Sequence, residues 1–249
     1  MSHIARLFVD TPLQAGVAVR LPEAQSKYLL RVMRLVAGAH VRVFNGKDGE
    51  WMCDLAPEGK TAVLLPKQQL RQQDRPGALT LLFAPIKKAR TDFIVEKATE
   101  LGVSEIRPIV SEYTQASRIR IDRMRLLAIE AAEQTERMDL PKIHEGEPLH
   151  KALAAWNPDV PLIYCDEAGE AAPMVNHIDR LRGHPAGLLI GPEGGFSPKE
   201  RKMLRALDFV IPITLGPRIL RAETAVVSAL TLWQSLVGDW QKAPYLPET

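Results

Sequence analysis

Two glycine-rich turns carry the residues best suited to binding a ligand. In the first, Gly191-Pro-Glu-Gly-Gly195 follows an apolar run, and Ser197-Pro-Lys-Glu200 then has the pattern of a capped helix start. The second, Leu215-Gly-Pro-Arg-Ile-Leu-Arg-Ala-Glu-Thr-Ala225, also joins an apolar run to a predicted helix. Glycines let the backbone approach a ligand closely, although the same residues also form ordinary turns. Two such turns after neighbouring strands favour one pocket, because ligands bind at the carboxyl ends of parallel strands.

The charged residues beside this pocket indicate an anionic ligand or substrate. Arg218 and Arg221 belong to the second turn. Motifs of several other chemistries are absent from the sequence, including the dinucleotide fingerprint after a strand, the phosphate-binding loop and the Gly-x-Ser-x-Gly elbow. No Cys or His pair has zinc spacing, so no metal is expected, and Cys53 and Cys165 are interpreted as free structural thiols. These residues predict an enzyme with a glycine-lined pocket, but they do not name its reaction.

The elements that must position these turns alternate between strand and helix from residue 78 onward. This alternation predicts an α/β domain with a parallel sheet and helices on both faces. The predicted strands are Leu79–Ala84, Glu105–Val110, Leu162–Cys165, Leu188–Ile190 and Val210–Leu215. The predicted helices are Arg90–Leu101, Asp122–Arg137, Pro198–Leu207 and Ala222–Val237.

The first 73 residues have a different texture and predict a small β-barrel. Short apolar runs recur there between turns, and one helix is predicted from Glu23 to about Leu35. That helix places Lys27, Arg31 and Arg34 on one side, which suits phosphate contacts but equally suits a solvated surface. Residues 1–77 hold 11 Lys or Arg and 7 Asp or Glu, a net charge of +4, whereas the whole chain is only +2. A polar stretch ending in Pro-Gly77 predicts the boundary between domains 1–73 and 74–249.

The last predicted helix indicates a partner subunit. Its apolar residues from Ala225 to Val237 surround the helix axis almost completely, and a helix that is apolar on all sides must be buried. A homodimer with this helix in a two-fold interface follows, while burial inside the monomer's own core is the alternative. No apolar run is long enough for a membrane helix and the N-terminus has no signal core, so a cytoplasmic protein is expected.

Several stretches resemble one known family along nearly the whole chain, in the expected order. Leu189-Ile-Gly-Pro-Glu-Gly-Gly-Phe-Ser197 and the second turn, Leu215–Ala225, resemble the two signature stretches of the 16S ribosomal RNA uridine N3-methyltransferases, which belong to the SPOUT superfamily. Three further stretches also match: Tyr28-Leu-Leu-Arg-Val-Met-Arg34, Lys97-Ala-Thr-Glu-Leu-Gly-Val103, and Glu133-Gln-Thr-Glu-Arg137 with Pro141-Lys-Ile143.

The resemblance implies an N-terminal PUA-like barrel, a SPOUT domain with a deep trefoil knot, and S-adenosylmethionine held in that knot. The residues it implies for cofactor binding are Leu189, Ile190, Gly191, Pro192, Glu193, Gly194, Gly195, Leu215, Gly216, Ile219, Leu220 and Thr224. The resemblance implies that the barrel binds 16S ribosomal RNA in the small ribosomal subunit, and the candidate contacts in the barrel are Arg6, Lys27, Arg31 and Arg34.

The implied substrate sets the catalytic requirement. Uridine N3 carries a proton at neutral pH and is a poor nucleophile until that proton is lost, so the enzyme must favour the N3 anion. Arg218 and Arg221 are candidates for stabilising the anion or holding phosphate, Glu223 is a candidate base, and Glu193 is a weaker one. Two alternatives remain: a SPOUT enzyme methylating another RNA position, such as a ribose 2′-hydroxyl, and a non-catalytic RNA-binding assembly factor.

Overall fold

The computed structural model describes residues 4–74, 77–115, 119–167, 171–243 and 245. These residues form two compact units. The first unit contains residues 4–74, and residues 132–140 and Tyr245 also belong to it. The second unit contains residues 77–131 and 141–243 within the described ranges. The first unit therefore takes in later segments that the sequence analysis had grouped with residues 74–249.

The first unit is built on a five-stranded mixed sheet. Its strands are β1 (Ala5–Phe8), β2 (Val19–Arg20), β3 (His40–Phe44), β4 (Glu50–Glu58) and β5 (Thr61–Arg71). They lie in the order β1-β3-β4-β5-β2, with β1 parallel to β3 and the other neighbours antiparallel. Buried aliphatic residues such as Leu7, Val41 and Leu64 form its core. Where the sequence predicts a barrel, the described residues form a sheet, and β1 and β2 are its two end strands.

The helix of this unit differs from the prediction. Helix α1 spans only Glu23–Lys27, and a π-helical turn, Tyr28–Val32, continues it. The wider turn shows in the hydrogen bond from the Met33 amide to the Tyr28 carbonyl, at 2.9 Å. Leu29 is fully buried, but Val32, which the 3.6-residue period placed on the apolar side, is 66% exposed. The extra residue per turn rotates Val32 away from the core.

The second unit contains a parallel sheet, as predicted. Its strands are β6 (Leu79–Phe83), β7 (Glu105–Val110), β8 (Lys142–Ile143), β9 (Glu147–Pro148), β10 (Leu162–Cys165), β11 (Ala172–Pro173), β12 (Ala186–Ile190) and β13 (Val210–Thr214). They lie in the order β11-β13-β10-β12-β6-β7-β8, with β9 paired to β7, and every pairing is parallel. The helices are α2 (Lys88–Glu100), α3 (Ile121–Gln134), α4 (Leu149–Ala154), α5 (Ile178–Leu181), α6 (Pro198–Arg205) and α7 (Ala222–Leu236), with a 3-10 turn at Met174–His177.

Both faces of this sheet are covered, because neighbouring residues of a strand point to opposite sides. Leu81 and Leu188 pack in a core cluster with residues of α2, α3 and α7. Leu82 and Leu189, one position further along, pack in another with residues of α4 and α6. Strands β6 and β12 are therefore apolar at successive positions, and their carboxyl ends meet at one edge of the sheet.

Helix α7 is buried within this chain on one side only. Its inner face, which includes Val226 and Trp233, is buried within this chain. Hydroxyl residues occupy the opposite face, where Thr224, Ser228, Thr231 and Ser235 are exposed or half-buried. One apolar side chain, Leu232, lies among them with 36% exposure. In the described part of the chain, no helix has the length and apolar character required to cross a membrane.

Candidate cofactor and RNA sites

A cavity of about 740 Å³ lies where three neighbouring strands end. The loops after β10, β12 and β13 line it, and these strands are adjacent in the order β13-β10-β12. Because all three strands are parallel, their carboxyl ends bring these loops together at one edge of the sheet. The lining comprises residues 165–167, 190–195 and 214–220 with Arg201, Ala222 and Ala225.

The first glycine turn is held in one shape by its own backbone. The Gly195 amide donates to the Pro192 carbonyl at 2.9 Å, and Gly195 has a φ of 68°, a conformation that favours glycine. A side chain here would also collide with the Glu167 carboxylate. Ser197 then caps α6: its hydroxyl accepts from the Glu200 amide, while the Glu200 carboxylate accepts from the Ser197 amide. Backbone rather than long side chains therefore forms this wall.

The second turn is open toward the cavity. Gly216 has a φ of 102°, and a Cβ atom there would have no heavy atom within 4 Å. Its amide donates to the Thr214 hydroxyl at 3.2 Å. Ile219 is 88% exposed although it lines the cavity, so a large apolar surface is available to a ligand. Arg218 is also exposed, and its side chain makes no ion pair with the described residues.

The third wall, residues 165–167, was missed by the sequence analysis. Asp166 is buried and accepts from the Arg205 guanidinium at 2.6 and 3.0 Å. Glu167 is exposed and presents its carboxylate beside Gly195. Burial raises the pKa of the Cys165 thiol, which keeps it protonated and unreactive. Asp166 and Glu167 follow a predicted buried strand, as the two glycine turns do. The reasoning that ligands bind at the carboxyl ends of parallel strands would therefore have predicted this wall as well.

Arg90 in α2 is a further residue of this region that was not predicted from the sequence. Its guanidinium pairs with the Glu193 carboxylate of the first turn and lies 3.4 Å from a Glu223 carboxylate oxygen of α7. The other Glu223 oxygen is buried and has no hydrogen-bond partner in the described structure. Arg90 therefore ties the glycine turn to the start of α7.

The structure brings most, but not all, of the predicted pocket residues together. Those that line the cavity are Ile190, Gly191, Pro192, Glu193, Gly194, Gly195, Leu215, Gly216, Arg218, Ile219 and Leu220. Leu189 does not, because its side chain is fully buried in the core beside Tyr164 and Phe196. Arg221, Glu223 and Thr224 also lie outside the lining: Arg221 is exposed at the start of α7 and Thr224 on its outer face.

In the first unit, three predicted RNA contacts share an exposed segment. Lys27, Arg31 and Arg34 are all exposed, and so are Tyr28 and Val32 among them. Arg34 has a φ of 55°, which ends the helical segment. Cations alternating with an aromatic side chain are typical of surfaces that bind single-stranded RNA.

The fourth predicted RNA contact, Arg6, requires correction. Its side chain is 3% exposed and donates to the Glu50 carboxylate at 2.6 Å. It also donates to the carbonyls of Ala132 and Arg137 and stacks 4.0 Å from the Phe44 ring centre. Arg6 therefore stabilises the first unit and is removed from the candidate RNA contacts. The sequence could not show this, because residues 44 to 131 positions away supply its partners.

Both Cys53 and Cys165 are free thiols, as predicted, and burial raises the pKa of Cys53 to about 12. Within the described ranges, no three His, Cys, Asp or Glu residues come together as a metal ion would require.

Comparisons with known proteins agree with this architecture. A family profile described as an RNA methyltransferase domain matches residues 73–234, and one described as an RNA methyltransferase PUA domain matches residues 21–65. The Ribosomal RNA small subunit methyltransferase E of Rickettsia conorii is 30% identical, over 90% of this chain and 93% of that protein.

Two solved structures are similar over nearly the whole chain. A Legionella pneumophila protein with SAM as its bound cofactor is 25% identical, with a TM-score of 0.84 over 96% of this chain and 100% of that one. The Ribosomal RNA small subunit methyltransferase E of Neisseria gonorrhoeae, bound to S-adenosyl methionine, is 27% identical, with a TM-score of 0.82 over the same shares.

Proposed function

Because this chain belongs to the RNA methyltransferase family, we propose that it transfers a methyl group from S-adenosylmethionine to 16S ribosomal RNA of the small subunit, at N3 of a uridine. The observation that carries this proposal is the cavity built from the two glycine turns, in a chain whose relatives are named small-subunit methyltransferases. The N3 position rests on the resemblance of those turns to the uridine N3-methyltransferases.

The residues of the cavity fit the cofactor. Its volume of about 740 Å³ lies in the ordinary range for small-molecule pockets. Leu215, Ile219 and Leu220 offer apolar contacts for an adenine ring, and the glycine turns leave backbone groups accessible to its polar edge. The Glu167 carboxylate supplies negative charge for a ligand that carries a sulfonium and an ammonium group. When bound, S-adenosylmethionine supplies an electrophilic methyl group that needs no further activation by the protein.

The protein's own task is to make uridine N3 nucleophilic. Arg218 is the catalytic candidate that lines the cavity, and its positive charge favours the N3 anion. Arg221 and Glu223 lie at the start of α7, where Arg221 suits a phosphate and Glu223 suits proton acceptance. Glu193 is the weaker base, because its carboxylate is hydrogen-bonded to Arg90, whereas one Glu223 oxygen has no hydrogen-bond partner in the described structure. Single-turnover rates across pH for Arg218→Ala and Glu223→Gln test these roles: an unchanged profile in both would remove them.

RNA contact by the first unit completes the proposal. Lys27, Arg31 and Arg34 surround Tyr28 on an exposed segment, and we assign phosphate contacts to these cations. We also infer a trefoil knot in the second unit and a homodimer through α7. The resemblance supports the knot, and exposed Leu232 with half-buried Val227 and Leu236 supports the dimer. A ribosomal substrate places the proposed reaction in the cytoplasm.

Labelled methyl transfer tests the proposed function. The protein is incubated with methyl-labelled S-adenosylmethionine and small ribosomal subunits that lack the modification, with large subunits as the control. Label in the small-subunit RNA alone is expected. Label in the large subunit would contradict the proposed substrate. No label, together with no thermal stabilisation by S-adenosylhomocysteine, would favour the non-catalytic assembly factor, because a ligand that binds the folded state must stabilise it.

A further inference from the structure

A second cavity, of about 410 Å³, lies at the same edge of the sheet as the cofactor cavity. Pro192, Glu193 and Gly194 line both cavities. The strand order explains this arrangement. The loops after β13, β10 and β12 line the first cavity, and residues after β6 and β7 line the second. Strand β12 lies between β10 and β6 in the sheet, so the turn after β12 borders both cavities. The glycine turn after β12 therefore separates two neighbouring cavities.

The second cavity has an apolar floor and an aromatic wall. Ile86 and Met124 are buried beneath it. The Thr91 hydroxyl accepts a hydrogen bond from the Ile86 amide and donates one to the Ile86 carbonyl, which fixes this part of the cavity floor. Tyr113 is 44% exposed although it lines the cavity, and its Cβ lies 3.6 Å from the point where a Gly194 Cβ would stand. Its ring is thus placed beside the glycine turn and available to a ligand.

The charge of the rim is positive. Lys87, Lys88 and Arg120 are exposed, and the described structure gives none of them a carboxylate partner. The other charged residues of the lining are neutralised, since Arg123 donates to both carboxylate oxygens of Asp92, at 2.9 and 2.6 Å, and Glu193 pairs with Arg90. Three unpaired cations surround an apolar cavity floor and an exposed tyrosine. This arrangement suits a nucleotide, which has a flat nucleobase and an attached phosphate.

We propose that this second cavity binds a nucleotide of the RNA substrate adjacent to the methyl acceptor. This inference rests on the proposed function. The acceptor itself must touch the methyl donor in the first cavity, so a nucleotide across the glycine turn is a neighbour in the same strand. Its base stacks on Tyr113, and Lys87, Lys88 and Arg120 contact the phosphates. The cavity thereby positions the acceptor and takes no part in proton transfer.

Tyr113→Leu tests the stacking. Loss of one base–aromatic contact is expected to raise the KM for small-subunit RNA about tenfold with kcat changed less than about twofold. Tyr113→Phe keeps the ring and is expected to restore the wild-type KM. Binding of S-adenosylhomocysteine, measured by calorimetry, is expected to be the same in all three proteins, because Tyr113 lies outside the cofactor cavity.

The phosphate contacts have a separate readout in the salt dependence of RNA binding. Each lost phosphate contact is expected to flatten the slope of log K against log salt by about 0.7 for single-stranded RNA. Lys87→Ala and Lys88→Ala should each do so, while Lys151→Ala, at an exposed position of α4 outside both cavities, should not.

The outcomes separate this inference from the proposed function. If wild-type protein transfers no methyl group to small-subunit RNA, the proposed function fails. If it does transfer, and Tyr113→Leu keeps the wild-type KM while the lysine variants keep the wild-type slope, only the second RNA subsite is overturned. A fall in kcat with an unchanged KM would also overturn it, because the residue would then act in the chemical step.

Discussion

At the scale of single residues, Gly195 is the position where the proposed cofactor cavity depends most clearly on glycine. Gly195 combines a φ of 68° with a position directly beside the Glu167 carboxylate. A side chain there meets backbone strain and a collision together, and either the turn or Glu167 must move. Both belong to the cavity lining, so the effect reaches the ligand.

Gly195→Ala is therefore expected to weaken S-adenosylhomocysteine binding at least about tenfold, a loss of about 1.4 kcal/mol of binding free energy, measured by calorimetry. Gly183→Ala is the matched control. Gly183 also has a positive φ, of 78°, but a Cβ atom there would have no neighbour within 4 Å and it is not part of the cavity lining. Equal affinities in the two variants would show that this turn does not hold the cofactor.

At the scale of elements, the first unit is organised around a buried carboxylate. Glu50 is fully buried in β4 and accepts from Arg6 of β1, Arg42 of β3 and Arg71 of β5. Glu136, from residues 132–140, pairs with Arg42 and Arg71 as well. Burial opposes ionisation of Glu50, but the hydrogen bonds from the three arginines outweigh it and hold its pKa below the usual value.

Glu50→Gln is expected to lower the unfolding free energy of this unit by about 3 kcal/mol at pH 7, because it leaves buried arginines without their shared anion. Because the pKa of Glu50 is lower in the folded state than the unfolded value of 4.5, ionised Glu50 stabilises the folded state above pH 4.5. That stability is lost as the pH falls through the folded-state pKa. Urea unfolding from pH 7 to pH 3 should thus show a steeper loss in the wild type than in the variant.

Glu58→Gln provides the control for this prediction. Glu58 pairs with Arg20, and both side chains are more than half exposed, at 56% and 61%. Such surface pairs contribute less than about 1 kcal/mol. If both variants lose equally little stability, the buried arginine cluster is not what holds the strands together.

The same scale shows how far the sequence reaches. Apolar runs and glycine breaks predicted the strands Glu105–Val110 and Leu162–Cys165 with the bounds that the structure has, and both glycine turns, because those signals are local. The sequence did not predict the π-helical turn at Tyr28, whose extra residue per turn the 3.6-residue pattern does not reveal. Long-range contacts were missed in the same way: Arg90 meets a glutamate 103 positions away, and Arg6 is buried by carbonyls more than 120 positions away. Only tertiary structure sets such pairings.

At the scale of the whole molecule, the proposed dimer depends on the outer face of α7. Its inner face is satisfied within the chain, so a partner would have to cover Leu232 and the half-buried Val227 and Leu236. Sedimentation equilibrium is expected to give twice the 27.7 kDa mass of one chain. Leu232→Asp, which would bury a charge in that interface, is expected to weaken association at least about tenfold.

Leu126→Asp is the control for the dimer, because Leu126 is an apolar residue of α3 with 60% exposure. It should leave the assembly intact if α7 forms the interface. A wild-type protein that sediments as a single chain at micromolar concentration would contradict the dimer.

The most direct test of the central claim is the identity of the methylated nucleoside. Small-subunit RNA labelled by this protein is digested to nucleosides, and the labelled product is identified by mass and chromatographic retention. N3-methyluridine is the predicted product, because Arg218 lines the proposed cofactor cavity, where its positive charge would favour an N3 anion. A ribose 2′-O-methyl nucleoside, or a methyl group on another base, would contradict the proposed acceptor while leaving the cofactor site in place.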